Sequence, residues 1–212
     1  YFRELHLSHG VTLLEGVGLT RLTGAEHVTG ATLSNGTALD IDFALVGVGI
    51  QPNTGLAETA GLTLNNGIET NALGQTSGPN IWAAGDCASF PYKDGRIRLE
   101  SVANAIDQAE VVAANMLGAA KKYHATPWFW SDQYDVKLQI AGLNQGFDKV
   151  VTRQGYAGRS HWYYKGGQLL AVDAMNDPRA YMVAKRLIEA GKTVDPTLVA
   201  DPSSDLKTLL RG

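Results

Sequence analysis

The sequence is poor in cysteine, in long apolar runs and in excess positive charge. Its single cysteine, Cys87, excludes an internal disulfide and a Cys-x-x-Cys redox pair within the chain. No apolar run approaches the roughly 18 residues that a membrane-spanning helix needs. The net charge of −3 argues against a nucleic-acid-binding surface. We therefore expect no membrane partner and no nucleic-acid partner, and we expect a reducing, cytoplasmic environment.

Familiar catalytic and metal-binding patterns are also lacking. The chain has no Gly-x-Ser-x-Gly nucleophile turn. Gly47 and Gly49 supply only two glycines of a Gly-x-Gly-x-x-Gly fingerprint, and Pro52 follows where the helix of that fingerprint should begin. No metal site is expected either, because the spacing of zinc ligands is absent from the histidines, which are His6, His9, His27, His124 and His161.

The patterns that are present predict an α/β part followed by an α+β part. A hydrophobic fraction of 44% suffices for one core or for two small ones. Strand and helix patterns alternate in the first half, and an antiparallel strand set with a helix follows. The chain starts at Tyr1 rather than Met, in what reads as the end of a helix. We therefore expect it to begin within a larger protein.

Two patterns in the first third of the chain bear on structure and function. Asn35-Gly36 lies between two strand patterns and predicts a β-hairpin. Residues 43–50 form an apolar run that predicts a buried strand, with Gly47 and Gly49 near its end. Such glycines either permit close approach of a cofactor or mark a bulge or tight crossing in the sheet.

The stretch of residues 76–87 predicts a turn, a buried strand and an acidic side chain at the strand's end. Residues 81–84 are apolar and bounded by turn residues, which favours a strand buried on both faces. Gly85 permits close approach of a ligand, and Asp86 follows where open α/β sheets face their ligand crevice. A carboxylate there suits the hydroxyls of a polyol. The alternative is a strand that ends in Gly-Asp for architectural reasons alone.

A helix is predicted to begin at Val102, behind Ser101 as its cap. Apolar residues recur at helical spacing and predict one apolar face, formed by Val102, Ala105, Ile106, Ala109, Val112, Ala113, Met116 and Leu117. The unsatisfied N–H groups of the first turn offer partial positive charge to an anion. In the alternative interpretation, Ser101 caps the helix and no ligand binds there.

The last third of the chain is richer in aromatic residues and in short strands. Trp128, Phe129 and Trp130 are consecutive, so a strand cannot direct all three to one core. At least one of them should face a ligand, a partner or another domain. Residues 165–167 predict a second hairpin, and Asp177 followed by Pro178 predicts a helix start. Without further information, these patterns indicate a ligand-binding α/β protein.

Three motifs, at residues 76–87, 98–108 and 128–133, resemble the carboxy-terminal half of the FAD-dependent ferredoxin reductases. These enzymes serve ring-hydroxylating dioxygenases and bacterial cytochromes P450, and they are relatives of rubredoxin reductase and apoptosis-inducing factor. The resemblance implies part of a glutathione-reductase-like flavoprotein with two dinucleotide-binding domains. Residues 1–71 would then complete the NAD-binding domain, residues 72–122 would complete the FAD-binding domain, and residues 123–212 would form an α+β domain that covers the flavin.

The resemblance also implies roles for individual residues. Gly49 would lie where the NAD-binding domain passes near the cofactors. Gly85 and Asp86 would belong to the second FAD motif, with Asp86 on the ribityl chain. The remaining cofactor-binding residues would form a segment beside the isoalloxazine ring and an aromatic lid over it: Glu100, Ser101, Val102, Trp128 and Trp130. One of the two tryptophans would pack by the ring, and the other would lie near the ferredoxin docking surface. Cys87 would be a small buried residue rather than a redox group.

The implied chemistry is hydride transfer from NADH to FAD, followed by two single-electron transfers to a [2Fe–2S] ferredoxin. The flavin carries this chemistry, so no catalytic side chain is expected. Because ferredoxins are usually acidic, basic residues would dock them. The candidates, for which a solvated helix face is an equally good explanation, are Arg179, Lys185, Arg186 and Lys207.

Alternative functions follow from the same resemblance. Among enzymes, the main alternative is a rubredoxin reductase or another NADH-dependent flavin oxidoreductase. A non-catalytic interaction module in the manner of apoptosis-inducing factor is the alternative of another class, and the net charge of −3 disfavours its DNA-binding form. Both Gly-rich fingerprints are absent from these residues, so we expect the 212 residues alone not to hold FAD or NAD tightly.

Overall fold

The structure is a computed structural model that describes residues 1–156 and 158–211. The chain divides into two compact units, Tyr1–Gln51 and Pro52–Gly212. Among the described residues, no helix combines the length and the apolar character needed to cross a membrane.

The first unit contains a short helix and an antiparallel sheet with the strand order β1-β2-β3. Its elements are α1 (Phe2–Ser8), β1 (Leu19–Gly24), β2 (Val28–Leu33) and β3 (Ala38–Asp40). The predicted Asn-Gly hairpin is confirmed between β2 and β3. The Leu33 N–H donates to the Thr37 carbonyl at 2.9 Å, and Gly36 takes the left-handed backbone conformation with φ +83°.

The buried strand predicted for residues 43–50 is wrong. This segment has no regular secondary structure and exposes its apolar side chains, with Leu45 93% and Val48 88% exposed. Its backbone forms no backbone–backbone hydrogen bond with other described residues. A strand buried on both faces needs neighbouring strands and covering layers, and the described residues provide neither for this segment.

The second unit begins with a loop-rich part that contains short elements and one long helix. The elements are α2 (Gly55–Thr59), β4 (Ile68–Glu69), a 3-10 turn (Gly85–Cys87), β5 (Ala88–Tyr92), β6 (Gly95–Ile97) and α3 (Val102–Met116). β4 pairs with β5 in parallel, and β5 pairs with β6 antiparallel. The helix predicted to begin at Val102 is confirmed, and Ser101 is its N-cap.

The buried strand predicted for residues 81–84 is also wrong. The segment is extended but forms only an isolated bridge, between Gln75 and Trp82, and Ile81 remains 39% exposed. Within the described chain, its backbone hydrogen bonds reach only residues 74–78. It therefore lacks the second neighbouring strand that burial on both faces requires.

The buried face of α3 differs from the predicted apolar face. Val102, Ile106 and Met116 are 61%, 53% and 61% exposed, whereas the buried side chains include three amides: Asn104, Gln108 and Asn115. These amides bind the backbone of nearby loops. The Asn115 side chain, for example, donates to the Leu73 carbonyl at 2.8 Å and accepts from the Lys121 N–H at 2.7 Å. Loops outside regular sheets leave backbone groups unpaired, so α3 directs amides rather than methyl groups towards them.

The rest of the second unit is an antiparallel sheet covered on one face by a helix. In the described residues, its strand order is β7-β8-β11-β10-β9. We call it the large sheet, and its elements are β7 (Trp128–Gln133), β8 (Val136–Gly142), β9 (Lys149–Gln154), β10 (Arg159–Lys165) and β11 (Gln168–Met175). The helices α4 (Pro178–Glu189) and α5 (Pro196–Ala200) follow, and a 3-10 turn (Thr208–Arg211) ends the described chain.

Two local predictions in this part are confirmed. β10 and β11 form the hairpin that residues 165–167 predict. The helix start is also as predicted, because the Asp177 side chain accepts from the Ala180 N–H at 3.1 Å and Pro178 occupies the first helical turn. Both features depend on residues adjacent in the sequence.

The core lies between the large sheet and α4. One row of register partners across the sheet consists of Trp128, Ala141, Val172, Trp162 and Val151. Four of these, all except Trp128, belong with Ala184 and Leu187 of α4 to one buried cluster of largely apolar side chains. The next row, which contains Phe129, Ile140, Asp173 and His161, lies on the opposite face because neighbours in a strand alternate.

Candidate functional site

The 3-10 turn after residues 81–84 holds Gly85 against α3. Gly85 is buried with φ +79°, and its N–H donates to the Gln108 side-chain oxygen at 2.8 Å. A Cβ atom at this position would lie 3.5 Å from the Ala105 Cβ, so the turn already lies close to the helix. The turn backbone is therefore fixed by a buried hydrogen bond.

Asp86 is the middle residue of this turn and is exposed to solvent. Its carboxylate forms no hydrogen bond and no ion pair with the residues that the structure describes, although its backbone carbonyl is bound. An ionised carboxylate is an acceptor with several free lone pairs. Asp86 can therefore accept hydrogen bonds from the hydroxyl groups of a ligand.

The N-terminus of α3 supplies hydrogen-bond donors next to Glu100 and Ser101. The Ser101 hydroxyl oxygen accepts from the Asn104 N–H at 3.2 Å, and the Ala105 N–H donates to the Ser101 carbonyl at 3.0 Å. The N–H groups of Val102 and Ala103 precede these bonds and point beyond the helix end. This end combines free donors with the partial positive charge of the helix dipole.

Two polar side chains brace the first turn of α3. The Tyr123 hydroxyl donates to the Asn104 side-chain oxygen at 2.9 Å, and the Asn104 amide group donates to the Leu99 carbonyl at 3.2 Å. Burial raises the pKa of Tyr123 to about 12, so its hydroxyl keeps its proton and remains a donor at neutral pH. The segment that leads into α3 is thus held on both sides of Ser101.

A cleft of about 250 Å³ lies between this segment and the edge of the large sheet. Its lining is apolar except near the α3 N-terminus, and consists of Leu99, Glu100, Ser101, Pro127, Trp128, Phe129, Ile140, Gly142 and Leu143. Pockets for whole drug-sized ligands have volumes of about 300 to 1,000 Å³, so this cleft suits part of a larger ligand. Its apolar walls and polar end match a flat ring system with one polar edge.

The aromatic residues of β7 divide between the two faces of the strand. Trp128 and Trp130 share one face and stack with ring centroids 5.5 Å apart. Lys185 of α4 lies over the Trp128 ring, with its ammonium nitrogen 5.2 Å from the centroid. Phe129 and its register partner Ile140 lie on the other face of the sheet, and both line the cleft. Trp128 lines the cleft as well, whereas Trp130 does not.

Arg98 connects the two segments that carry the acidic site residues. Its guanidinium donates to the Asp86 carbonyl at 2.9 Å and to the Glu100 carboxylate at 2.6 Å. Only 8% of the Arg98 side chain is exposed, compared with 37% of the Glu100 side chain. The ion pair is therefore partly shielded from water.

The structure brings most of the predicted site residues together. Gly85 and Asp86 contact α3 and Arg98, and Glu100, Ser101 and Trp128 line the cleft beside Val102. Trp130 stacks on Trp128 but lies outside the cleft lining. Gly49 belongs to the first unit, where it is exposed and has φ +91°. The role of each residue in binding a cofactor stays a prediction.

Four residues of the site were missed by the sequence analysis: Arg98, Gln108, Phe129 and Ile140. Arg98 and Gln108 both lie in the 98–108 motif, so that motif was the available signal. Phe129 lies between the two tryptophans that we had singled out. Ile140 had no signal, because its place at the cleft depends on the register of β7 with β8.

Other reactive groups are sparse in the part of the chain that the structure describes. No group of three or more His, Cys, Asp or Glu residues there could hold a metal ion. Cys87 is half-buried, and its Sγ donates to the Ala84 carbonyl at 3.7 Å. It is therefore less buried than the sequence analysis expected.

Comparison with known families assigns the chain to one of them. Residues 1–109 match the family described as pyridine nucleotide-disulphide oxidoreductase, and residues 128–210 match the family described as reductase C-terminal. The chain belongs to the pyridine nucleotide-disulphide oxidoreductase family. The expected resemblance and the expected fold class are thereby confirmed.

The similar proteins include a ferredoxin reductase and a rhodocoxin reductase. A ferredoxin–NAD(P)(+) reductase from Sphingomonas sp. is 40% identical over 99% of this chain and 52% of its own length. Rhodocoxin reductase from Rhodococcus erythropolis is 39% identical over 98% of this chain and 50% of its own length. The chain therefore spans about half the length of the curated relatives it matches.

Solved structures give the same result. A ferredoxin reductase for the CYP199A2 system from Rhodopseudomonas palustris superposes with a TM-score of 0.94 at 41% identity, over 98% of this chain and 53% of that one. Putidaredoxin reductase, in its covalent complex with putidaredoxin, superposes with a TM-score of 0.93 at 37% identity, over 99% of this chain and 52% of that one.

Proposed function

We propose that the protein containing this chain is a FAD-dependent NAD(P)H:ferredoxin reductase. It would pass electrons from NADH through FAD to a [2Fe–2S] ferredoxin that serves an oxygenase or a cytochrome P450. The observation that carries this proposal is the cleft at the α3 N-terminus, where free N–H donors and an apolar wall occur together. The unengaged Asp86 lies outside the cleft lining and is joined to it through Arg98 and Glu100. The ferredoxin reductases among the similar proteins support it.

The residues of the site fit part of a flavin. The wall formed by Phe129, Ile140 and Leu143 suits a flat aromatic ring system, and the donors of Val102 and Ala103 suit its polar edge. Asp86 suits the hydroxyls of the ribityl chain. Bound FAD would supply two-electron acceptance from NADH and one-electron release to an iron–sulfur protein.

The chain's own contribution is to bind, orient and electrostatically stabilise. The positive end of α3 stabilises negative charge at the polar ring edge, which favours the reduced cofactor. The cleft wall from the large sheet excludes water from one side of the ring. No side chain is required as a nucleophile or metal ligand in this chemistry.

The acceptor is proposed to dock where β7 meets α4. Trp130 is 38% exposed there, and its stacking partner Trp128 lies under Lys185. Arg179 and Arg186 belong to the same helix. An aromatic surface with nearby positive charge suits an acidic ferredoxin, since complementary charge accelerates association.

Domain roles and location complete the proposal. Residues 1–71 would complete the NAD-binding domain, residues 72–122 the FAD-binding domain, and residues 123–212 the domain that covers the flavin. We place the protein in the cytoplasm, on the ground that a chain with one cysteine suits a reducing compartment.

The experiment that tests this proposal is anaerobic stopped-flow spectroscopy of the flavin-loaded protein. NADH should bleach the flavin absorbance, and a [2Fe–2S] ferredoxin should then reoxidise it in two one-electron steps. Reoxidation by rubredoxin alone would instead identify a rubredoxin reductase. A purified full-length protein that takes up no FAD would contradict the proposal and leave the non-catalytic interaction module as the alternative.

A further inference from the structure

Arg98 is the charged side chain that connects the two halves of the site. It follows β6 directly and precedes the segment that enters α3. We propose that Arg98 is a positioning residue that holds the Asp86 segment in register with the Glu100 segment and compensates the Glu100 charge beside the ring. This inference rests on the proposed function, because it deepens the assignment of the same cofactor site.

The first argument is the geometry of the guanidinium. Nη1 donates to the Asp86 carbonyl at 2.9 Å, and Nη2 contacts the Glu100 carboxylate at 2.6 Å. A planar guanidinium presents its donors at fixed angles, so one side chain sets the relative position of both acceptors. Lysine has a single ammonium point charge and lacks this fork.

The second argument is that the packing leaves Arg98 little freedom. Only 8% of the side chain is exposed, and Nε is buried without a hydrogen-bond partner among the described residues. Gly67, with φ +128°, lies against its stem, because a Cβ there would approach the Arg98 Cδ to 2.9 Å. The same Cβ would lie 2.6 Å from the Cys87 carbonyl oxygen. The space between Gly67 and the Cys87 carbonyl is therefore narrow, and the aliphatic part of the Arg98 side chain packs tightly against it.

The third argument is electrostatic. Glu100 lines the cleft and lies two residues before Val102, the first residue of α3. An uncompensated carboxylate there would oppose the positive helix end and disfavour the added negative charge of a reduced flavin. The ion pair with Arg98 removes most of this opposition. Arg98, which does not line the cleft, would thus act on the midpoint potential of the cofactor through Glu100.

Two single variants, each of which removes a charge of opposite sign, test the electrostatic role in the flavin-loaded protein. Arg98→Gln leaves the Glu100 charge uncompensated and should lower the midpoint potential of the flavin. Glu100→Gln leaves Arg98 uncompensated and should raise it. The double variant should return close to the wild-type potential. A purely structural role would not give shifts of opposite sign that cancel.

Arg98→Lys tests the positioning part, because it retains the charge but not the fork. It should keep the potential near the wild-type value while FAD binds roughly 10- to 100-fold more weakly, the change that loss of a charge-assisted hydrogen bond produces. Arg98→Gln should weaken binding at least as much. Apoprotein melting temperatures, measured in parallel, identify any variant that fails to fold. If Arg98→Gln fails to fold, Arg98→Lys tests the positioning role and Glu100→Gln tests the electrostatic role.

Arg96→Gln is the matched control. Arg96 lies two residues earlier, donates to the Thr70 and Ser89 carbonyls, and is 3.8 Å from Glu69. It lines a different cleft, so its loss should leave the FAD affinity and the potential unchanged.

Two results separate this inference from the function on which it rests. The first result is a wild-type protein that binds FAD, an Arg98→Lys variant whose FAD affinity is within twofold of wild type, and an Arg98→Gln variant whose flavin midpoint potential equals that of Arg96→Gln. This result overturns the positioning role only. A full-length wild-type protein that binds no FAD overturns the proposed function and this inference together.

Discussion

The large sheet and the loop-rich part of the second unit, which runs from α2 to α3 (residues 55–116), are held together by different interactions. Beneath α4, the sheet buries Trp162, Val172 and Leu187 almost completely, at 0 to 2% exposure. The loop-rich part instead depends on side chains that bind backbone groups: Arg96, Arg98, Asn104, Gln108 and Asn115. Regular strands satisfy their own backbone, so a sheet can pack apolar side chains, whereas loops need polar partners.

This difference bears on function. Among these polar contacts, those of Arg98, Asn104 and Gln108 lie at the Gly85–Asp86 turn and the α3 N-terminus, where the cofactor is proposed to bind. Hydrogen bonds fix direction as well as distance, so they suit a site that must present donors and acceptors. The large sheet contributes an apolar wall, which depends on the rigidity of its core.

The largest expected effect comes from breaking the sheet core. Trp162→Ala should lower the free energy of unfolding by about 3 to 5 kcal/mol, because it removes a large, fully buried side chain and leaves a cavity. Urea denaturation of the flavin-free protein measures this. Met182→Ala on α4, where the side chain is 45% exposed, is the control and should change little. Equal losses in the two variants would contradict a core between α4 and the sheet.

A smaller effect is expected from removing one polar contact of the loop-rich part. Gln108→Leu should lower the free energy of unfolding by about 1 to 3 kcal/mol, because the buried Gly85 N–H would lose its acceptor. The same denaturation experiment gives the value, with the exposed Glu110→Leu on the same helix as control. A neutral result at Gln108 would show that this contact does not stabilise the turn.

Asp86→Ala separates binding from stability within the same part. Its carboxylate has no partner among the described residues, so unfolding should be unchanged. FAD binding should weaken about tenfold in the full-length protein, which corresponds to roughly 1.4 kcal/mol of lost hydrogen bonding. Fluorescence titration of the apoprotein measures the affinity, with Asp94→Ala as a control in the turn between β5 and β6. Unchanged affinity would remove Asp86 from the site.

The smallest effect is expected from changing the charge of α4 beside β7, where the ferredoxin is proposed to dock. Lys185→Glu should slow electron transfer to ferredoxin severalfold and weaken its dependence on salt, because association loses favourable charge. Flavin reduction by NADH should be unaffected. The control is Lys149→Glu on β9, at the opposite edge of the sheet from β7. A parallel fall in flavin reduction would assign Lys185 to the cofactor site instead.

Prediction from sequence worked best in the large-sheet region. The hairpin at residues 165–167 and the Asp177–Pro178 helix start are confirmed, and both depend on neighbours along the chain. It worked less well at α3, whose boundaries were correct but whose buried face was not. An apolar pattern ranks asparagine and glutamine as surface residues, although here Asn104, Gln108 and Asn115 bind loop backbone.

The amino-acid sequence by itself determined the caps, the hairpin turns, the start of α3 and the motifs that identify the family. These depend on local conformational preference and on residue spacing. Only the tertiary structure decided that Arg98 joins Asp86 to Glu100, that Phe129 rather than Trp130 lines the cleft, and that residues 81–84 form no strand. Those outcomes depend on partners distant in the sequence, because burial and pairing are properties of the assembled chain rather than of any segment.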